Sequence, residues 1–392
     1  MTQRVRSAKG VVSDSRGSDD AKAKRKRISD KSNARVAPVF HFFSSTTMST
    51  KHGFVNGFVL PGILFPALTA LGVRLITNSL TVSGLGAELS AQCAPGANSS
   101  YIHPFTGVHG IDGFICGLVA FFHAELEPQL SPYLLYFAGT SGFLMAFPAI
   151  EAHRKGRSLF IAFPIIVGLL GQAITIGITL TIYWLAFIWT GASSRRADAH
   201  SHITKPQAES IIFATAVGSM LPSMGLMLFK DPKVTAYWQI FPVYASVAGL
   251  AYSFLRPTPR TTESGYKLVR QMYMGMFVSS AIMHLCIVGP KLLDPPALAS
   301  FVFPSITPLP TTASLSAKAD DFLKWDLIFA FGSSVLATLW FARDAAELIV
   351  IASWHLFAVP LIGPGASCTG IALWREAALN DEEVEPNPRF KQ

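Results

Sequence analysis

The chain has 392 residues, half of them hydrophobic and only 14% charged, with a formal net charge of +8 and a mean hydropathy of +0.39. That balance excludes an ordinary soluble globular domain and points to an integral membrane protein of the all-α, polytopic class. The charge is uneven, with a dense basic cluster before residue 36 and acidic residues gathered in "NDEEVEP" near the end.

Residues 1–50 hold "KAKRKR" and almost no apolar clusters, so they read as a disordered basic segment that cannot offset its ordering entropy. In front of a membrane span, such a run is a cytoplasmic topology signal rather than a nucleic-acid patch, and no nucleic-acid partner is expected. Residues 51–375 form the expected transmembrane domain, and 376–392 a polar tail.

A hydrocarbon core of about 30 Å takes about 20 helical residues. Apolar runs near 54–76, 133–150, 159–190, 209–229, 234–255, 272–290, 325–342 and 348–373, with a shorter one at 110–124, give about eight or nine transmembrane helices. The run 159–190 is overlong for one span, and "GPG" at 363–365 interrupts the last. Helices are expected because lipid offers no partners to open backbone groups.

Lysine and arginine bias puts the N-terminus, "SSRRADAHSHITK" and "RPTPRTTESGYKLVR" in the cytosol. "EAHRKGR" at 151–157 then falls on the far side, against the rule. The loop 77–108 has no lysine or arginine, carries the sequon Asn98-Ser99-Ser100, and is expected to be lumenal or extracellular and open to glycosylation.

Four cysteines, Cys93, Cys116, Cys286 and Cys368, show no CxxC pairing, so neither zinc nor a disulfide framework is indicated. "AHSH" at 199–202 lies in a polar loop, where metal binding is the less favoured interpretation. No cofactor is expected.

Carboxylates in or beside membrane helices are costly, so each is a functional candidate weighed against snorkelling at an interface. In "HGIDGFICGLVAFFHAELEP", Asp112, Cys116 and His123 lie along one stripe, since eleven residues bring His123 to within about 20° of Asp112. Glu125 and Glu127 fall off that stripe and read as interface residues. A second stripe joins Asp326, Ser333, Trp340 and Asp344 if that helix is continuous. Helix counting places Asp112, Glu151 and Asp326 near one membrane face, with Glu125, Glu127, Asp344 and Glu347 near the other.

"DGFICGLVAFFHAEL" at 112–126, "EAHRKGRS" at 151–158, "WDLIFAFGSS" at 325–334 and "GPGASCTGIALWRE" at 363–376 resemble the multi-pass fungal terpene cyclases of ascochlorin, ascofuranone and macrophorin biosynthesis. The resemblance covers most of residues 52–376 and lies in pattern and order. It implies metal-independent cyclisation of the terpenoid tail of a meroterpenoid, a lipophilic prenylated aromatic substrate, and an address in the endoplasmic reticulum.

Such chemistry needs a carboxylic acid kept protonated by burial, which gives its proton to an epoxide or terminal alkene. It also needs aromatic faces to shield the cation, each contributing about 0.5 to 2 kcal/mol. The expected donor is Asp326 or Asp112, then Glu151, with Glu347 as an outsider. His123, Tyr136 and His355 are weaker candidates for the final proton or for orienting the acid, each weighed against an ordinary core or interface role. Trp325, Trp340, Trp354 and Tyr136 are candidate substrate-binding aromatics. A multi-pass transporter or receptor for a small lipophilic molecule is the alternative function, and a lipid-modifying transferase the third.

Overall fold

The computed structural model describes residues 53–128, 131–197, 201–256 and 263–380. The proposed basic segment and the end of the polar tail lie outside them. The described residues are all-α, as expected for a polytopic membrane protein. Among the described residues six helices are long and apolar enough to cross a membrane: α1 Val55–Thr81, α4 Ser131–Glu151, α7 Lys205–Phe229, α10 Tyr266–Lys291, α12 Leu315–Phe341 and α13 Ala345–Ile362. Three shorter apolar helices, α5 Pro164–Ala173, α6 Ile176–Trp189 and α9 Phe241–Leu255, pack among them. Short helices α2 Leu85–Gln92, α3 His109–Glu125, α8 Pro232–Trp238 and α11 Pro295–Val302, a single turn at Leu159–Ala162 and the terminal α14 Pro364–Asn380 accompany them.

The overlong run 159–190 is broken into a single helical turn, Leu159–Ala162, and two helices. Pro164 opens α5, and Thr175 opens α6 by accepting the Ile178 N–H at 3.3 Å. Asp326 of α12 adds a second cap across the bundle, accepting the Gly177 N–H at 2.6 Å. Helix α12 packs most closely on α6, and Gly177 permits the approach: a Cβ there would lie 2.6 Å from the Asp326 carbonyl oxygen. Small residues serve the same end where α7 meets α9, since a Cβ on Gly218 would lie 2.2 Å from the Ala245 Cα. Outward side chains such as Ile63, Leu228, Phe254 and Phe357 are exposed, as a lipid-facing surface requires.

Helix α3 does not cross from one face to the other. Its end is tied to the turn between α7 and α8, where Lys230 Nζ donates to the Leu126 carbonyl at 3.4 Å and His123 meets Thr235 Oγ1 at 3.1 Å. Its Cys116 is joined by a disulfide to Cys93, just past α2. This bridge corrects the expectation that no disulfide forms: its two cysteines lie 23 residues apart, with no CxxC spacing to mark them.

Together these two changes resolve the topology conflict. With α3 on one face and 159–190 folded as a pair, residues 151–157 return to the face that carries the other basic loops. The side chain of Arg195 donates to the Lys155 carbonyl at 3.2 Å, Gln207 to the His153 carbonyl at 3.4 Å, and Trp340 to the Asn56 carbonyl at 2.8 Å. The opposite face holds the disulfide, the Ser79–Asp321 hydrogen bond at 3.1 Å and the Lys318–Glu88 ion pair.

The helix-counting assignment of acids to faces changes accordingly. Asp112, Glu125 and Glu127 share the disulfide face, while Glu151, Asp344 and Glu347 share the basic one. The second stripe ends early, because a 3-10 turn at Leu339–Phe341 breaks the helix and Asp344 caps α13 by accepting the Glu347 N–H at 2.9 Å. Asp326, Ser333 and Trp340 do face inward, each buried.

Candidate active site

On the disulfide side of the bundle a cleft of about 270 Å³ opens between α4, α10, α11 and α12, lined by Tyr133, Lys291, Ala297, Ser300, Phe301, Asp320 and Lys324. Asp320 and Lys324 stand one turn apart on α12 and pair at 2.6 Å. Lys324 also donates to the Ser300 carbonyl at 2.6 Å and sits 5.5 Å above the Tyr133 ring. One Asp320 oxygen is thereby held; the other, Oδ1, is buried without a hydrogen-bond partner.

Behind this wall lies Glu125, the last residue of α3. It is fully buried, and neither carboxylate oxygen has a hydrogen-bond partner. Asp320, Lys324 and Tyr133 all lie within its electrostatic reach. Burial first, and the nearby Asp320 charge second, push its carboxyl well above the usual range against the opposing pull of Lys324. An unpaired buried carboxylate is costly, so the group holds its proton instead.

Aromatic rings surround the acids. Tyr133 packs edge-on against Phe301 at 5.3 Å, Tyr136 against Phe301 at 5.8 Å, and Phe121 against Phe322 at 5.4 Å. The Tyr136 hydroxyl donates to His284 Nδ1 at 3.0 Å, which leaves His284 Nε2–H to donate to the Pro360 carbonyl at 3.3 Å. The fold thus brings together an unpaired acid, a salt-bridged carboxylate with one unpartnered oxygen, and faces able to stabilise positive charge.

The candidates from sequence lie in different settings. Asp326 is buried and occupied as the cap of α6. Asp112 begins α3, where its carboxylate accepts the Thr106 N–H at 2.7 Å and the Gly107 N–H at 3.0 Å, bonds that hold its pKa below the ordinary value. Glu151 is buried on the basic face, with Arg154 Nε at 2.7 Å and Arg375 at 2.6 Å. Glu347 pairs with Arg343. His123 stacks obliquely on Tyr101 at 5.1 Å, and His355 bridges Thr338 at 2.7 Å and Ser367 at 2.8 Å.

Among the aromatics, Trp325 stacks on Phe329, and the Trp354 indole donates to the Ser367 carbonyl at 2.9 Å. Trp340 is tied to Asn56. Tyr136 is the one of the four that packs against a residue lining the cleft. No group of acids, histidines and cysteines among the described residues is arranged to hold a metal ion; residues 199 and 200 of the "AHSH" loop lie outside them, and His202 bonds Asn380 at 3.1 Å.

Glu125 is the residue that sequence reasoning passed over. The apolar run ends beside it and Pro128 follows, both marks of an interface. Its signal was present in "AFFHAEL", where apolar and aromatic residues precede the acid and Leu126 follows it.

Fold and cleft define a polytopic α-helical membrane protein with acid groups buried beside an aromatic-walled cleft. The CtvD domain model matches residues 61–379, and the chain belongs to that family. Over 263 residues it is 23% identical to the FAD-dependent monooxygenase verC1 of Penicillium polonicum, an alignment that covers 61% of this chain and 31% of that protein. No solved structure matches.

Proposed function

We propose that this protein is a membrane-bound terpene cyclase of fungal secondary metabolism, acting on the prenyl chain of a meroterpenoid with Glu125 as the proton donor. One observation carries the reading: a fully buried carboxyl with no hydrogen-bond partner, set behind a cleft walled by Tyr133 and Phe301. The Glu125 O–H protonates an epoxide oxygen or a terminal alkene carbon. The resulting cation draws the electron pair of a neighbouring alkene into a new carbon–carbon bond, screened from water by the aromatic wall. Similarity to part of a protein named as a monooxygenase favours the epoxide, since monooxygenation is a route to that group.

The test supplies membranes containing the protein with a farnesylated aromatic, with and without a terminal epoxide, and follows products by mass and retention. A cyclised isomer of unchanged mass is expected from the epoxide. Epoxide left intact, or hydrolysed as in empty membranes, would defeat the reading; uptake without chemical change would favour the transporter or receptor instead.

The resemblance to endoplasmic-reticulum cyclases and the gathering of Arg154, Lys155, Arg157, Arg195, Arg196, Lys205 and Arg256 on one face support a cytosolic basic face in that membrane. The Cys93–Cys116 bridge then faces the oxidising lumen, where disulfides persist. Exposed Asn98 lies on the same side, so it is expected to carry an N-glycan. Endoglycosidase should increase the gel mobility of wild type and leave Asn98→Gln unchanged, while Ser194→Cys should react with impermeant maleimide added outside sealed, lumen-inside microsomes.

A further inference from the structure

We infer that Asp320, held by Lys324, is the base that ends the reaction by removing a proton from the cyclised cation. The inference rests on the cyclase reading and divides its chemistry between two neighbouring carboxyl groups.

The environments of the two acids differ in the way that acid and base roles require. Glu125 has no cation bonded to it and no donor on either oxygen. Asp320 has the Lys324 ammonium at 2.6 Å on Oδ2, and that cation is itself fixed by the Ser300 carbonyl and the Tyr133 ring. The Lys324 ammonium favours the charged form of Asp320, and no such cation is bonded to Glu125. Asp320 lines the cleft, and its Oδ1 is buried and unpartnered, a lone-pair acceptor with no protein proton to take. Asp321, next in the chain, offers no such vacancy, because its oxygens accept the Ser305 N–H at 2.6 Å and the Ser79 hydroxyl at 3.1 Å.

The balance closes without a co-reactant. Glu125 gives one proton to the substrate oxygen, the strained C–O bond breaks, and an alkene pair closes the ring. Asp320 Oδ1 takes a proton from the carbon next to the final cation, and the electron pair of that C–H bond becomes the product alkene. One proton has entered and one has left, so the product is an isomer. Glu125 and Asp320 lie within electrostatic reach of each other, and transfer of a proton from Asp320 to Glu125 restores both.

The same arrangement gives Lys324 a role within a largely apolar helix. It holds Asp320 Oδ2, and it is itself fixed by Ser300 and Tyr133, residues that line the cleft. Loss of Lys324 is therefore expected to resemble loss of Asp320, in weaker form.

The experiment uses the full-length protein in membranes, with the epoxidised farnesyl aromatic as probe and the products resolved by mass and retention. In a single turnover with protein in excess, Asp320→Asn is expected to open the epoxide, more slowly than wild type, since Glu125 starts protonated; continued turnover is expected to fall because the amide cannot return the proton. Its alkene product should fall at least tenfold relative to water-quenched alcohol, and Lys324→Met should shift the ratio the same way. An unchanged ratio in a folded Asp320→Asn variant would overturn the inference, as would a folded variant that consumes no epoxide, which would assign Asp320 to the first proton transfer.

A readout without substrate separates this from failure of the cyclase reading. In infrared difference spectra at neutral pH, the protonated-carboxyl band of the wild type should vanish in Glu125→Gln and persist in Asp320→Asn. Loss of the band in Asp320→Asn would sink the division of roles. Inactivity of wild type on every prenylated epoxide, with the band behaving as expected, would sink the cyclase reading.

Discussion

Glu125→Gln is expected to lower turnover of the epoxide by about 10²- to 10⁴-fold, the range a positioned general acid contributes. The amide has the shape of the protonated acid and cannot release a proton with comparable ease. Because both Glu125 oxygens lack partners in the folded protein, the substitution breaks no hydrogen bond, and folding should survive. Turnover is measured on protein quantified by fluorescence-detected gel filtration, so that a fall in kcat is not confused with loss of protein. Asp326→Asn is the contrast, since its remaining carbonyl oxygen can still accept the Gly177 N–H. Full activity in Glu125→Gln with loss in Asp326→Asn would return the donor role to Asp326.

The same substitution has a pH signature. The folded carboxyl titrates well above its ordinary value because it is buried. Its contribution to stability is therefore fully present below the unfolded pKa and lost as pH rises through the folded one. Catalysis by the protonated form declines in the same upper window. Glu125→Gln removes the titration, so the thermal midpoint of the variant should gain on that of wild type as pH is raised. Midpoints that move in parallel would mean that Glu125 is not a buried, protonated acid.

Hydropathy made the bundle legible, and the inward faces of Asp326, Ser333 and Trp340 followed from helical period alone. What it concealed lay at the ends of apolar runs. Glu125 stands where hydropathy falls, which in a lone helix marks the water interface, but α12 and α4 cover that end of α3 and turn the boundary into an interior. The span of 159–190 was ambiguous for a related reason: its break at Thr175 depends on a carboxylate supplied from Asp326, distant in sequence. Cys93 and Cys116 likewise meet only because α2 folds back on α3. Each miss concerns a partner brought from elsewhere in the chain, which no local pattern encodes.

Arg154→Met is expected to cost about 3 to 5 kcal/mol, the penalty for breaking a buried ion pair by removing one partner. Arg154 and Glu151 have side chains that are 0% and 1% exposed, and Arg154 also pairs with Glu376, 2% exposed. Its guanidinium reaches the Ser201 carbonyl as well, so one side chain ties the end of α4 to α14 and to the loop before α7. Removing it leaves Glu151 with Arg375 and Glu376 with the Asn380 amide at 3.0 Å. Neither carboxylate can reach water in its place. A loss of that size is a large part of the roughly 5 to 15 kcal/mol that holds a typical domain folded, so little monodisperse protein should be recovered in detergent. Arg343→Met supplies the control: its pair with Glu347 has side chains 63% and 19% exposed, and exposed pairs contribute only about 0 to 1 kcal/mol. The two variants remove the same charge from the same face of the protein. If their thermal midpoints agree, the buried network is not what locks the basic ends of the helices together.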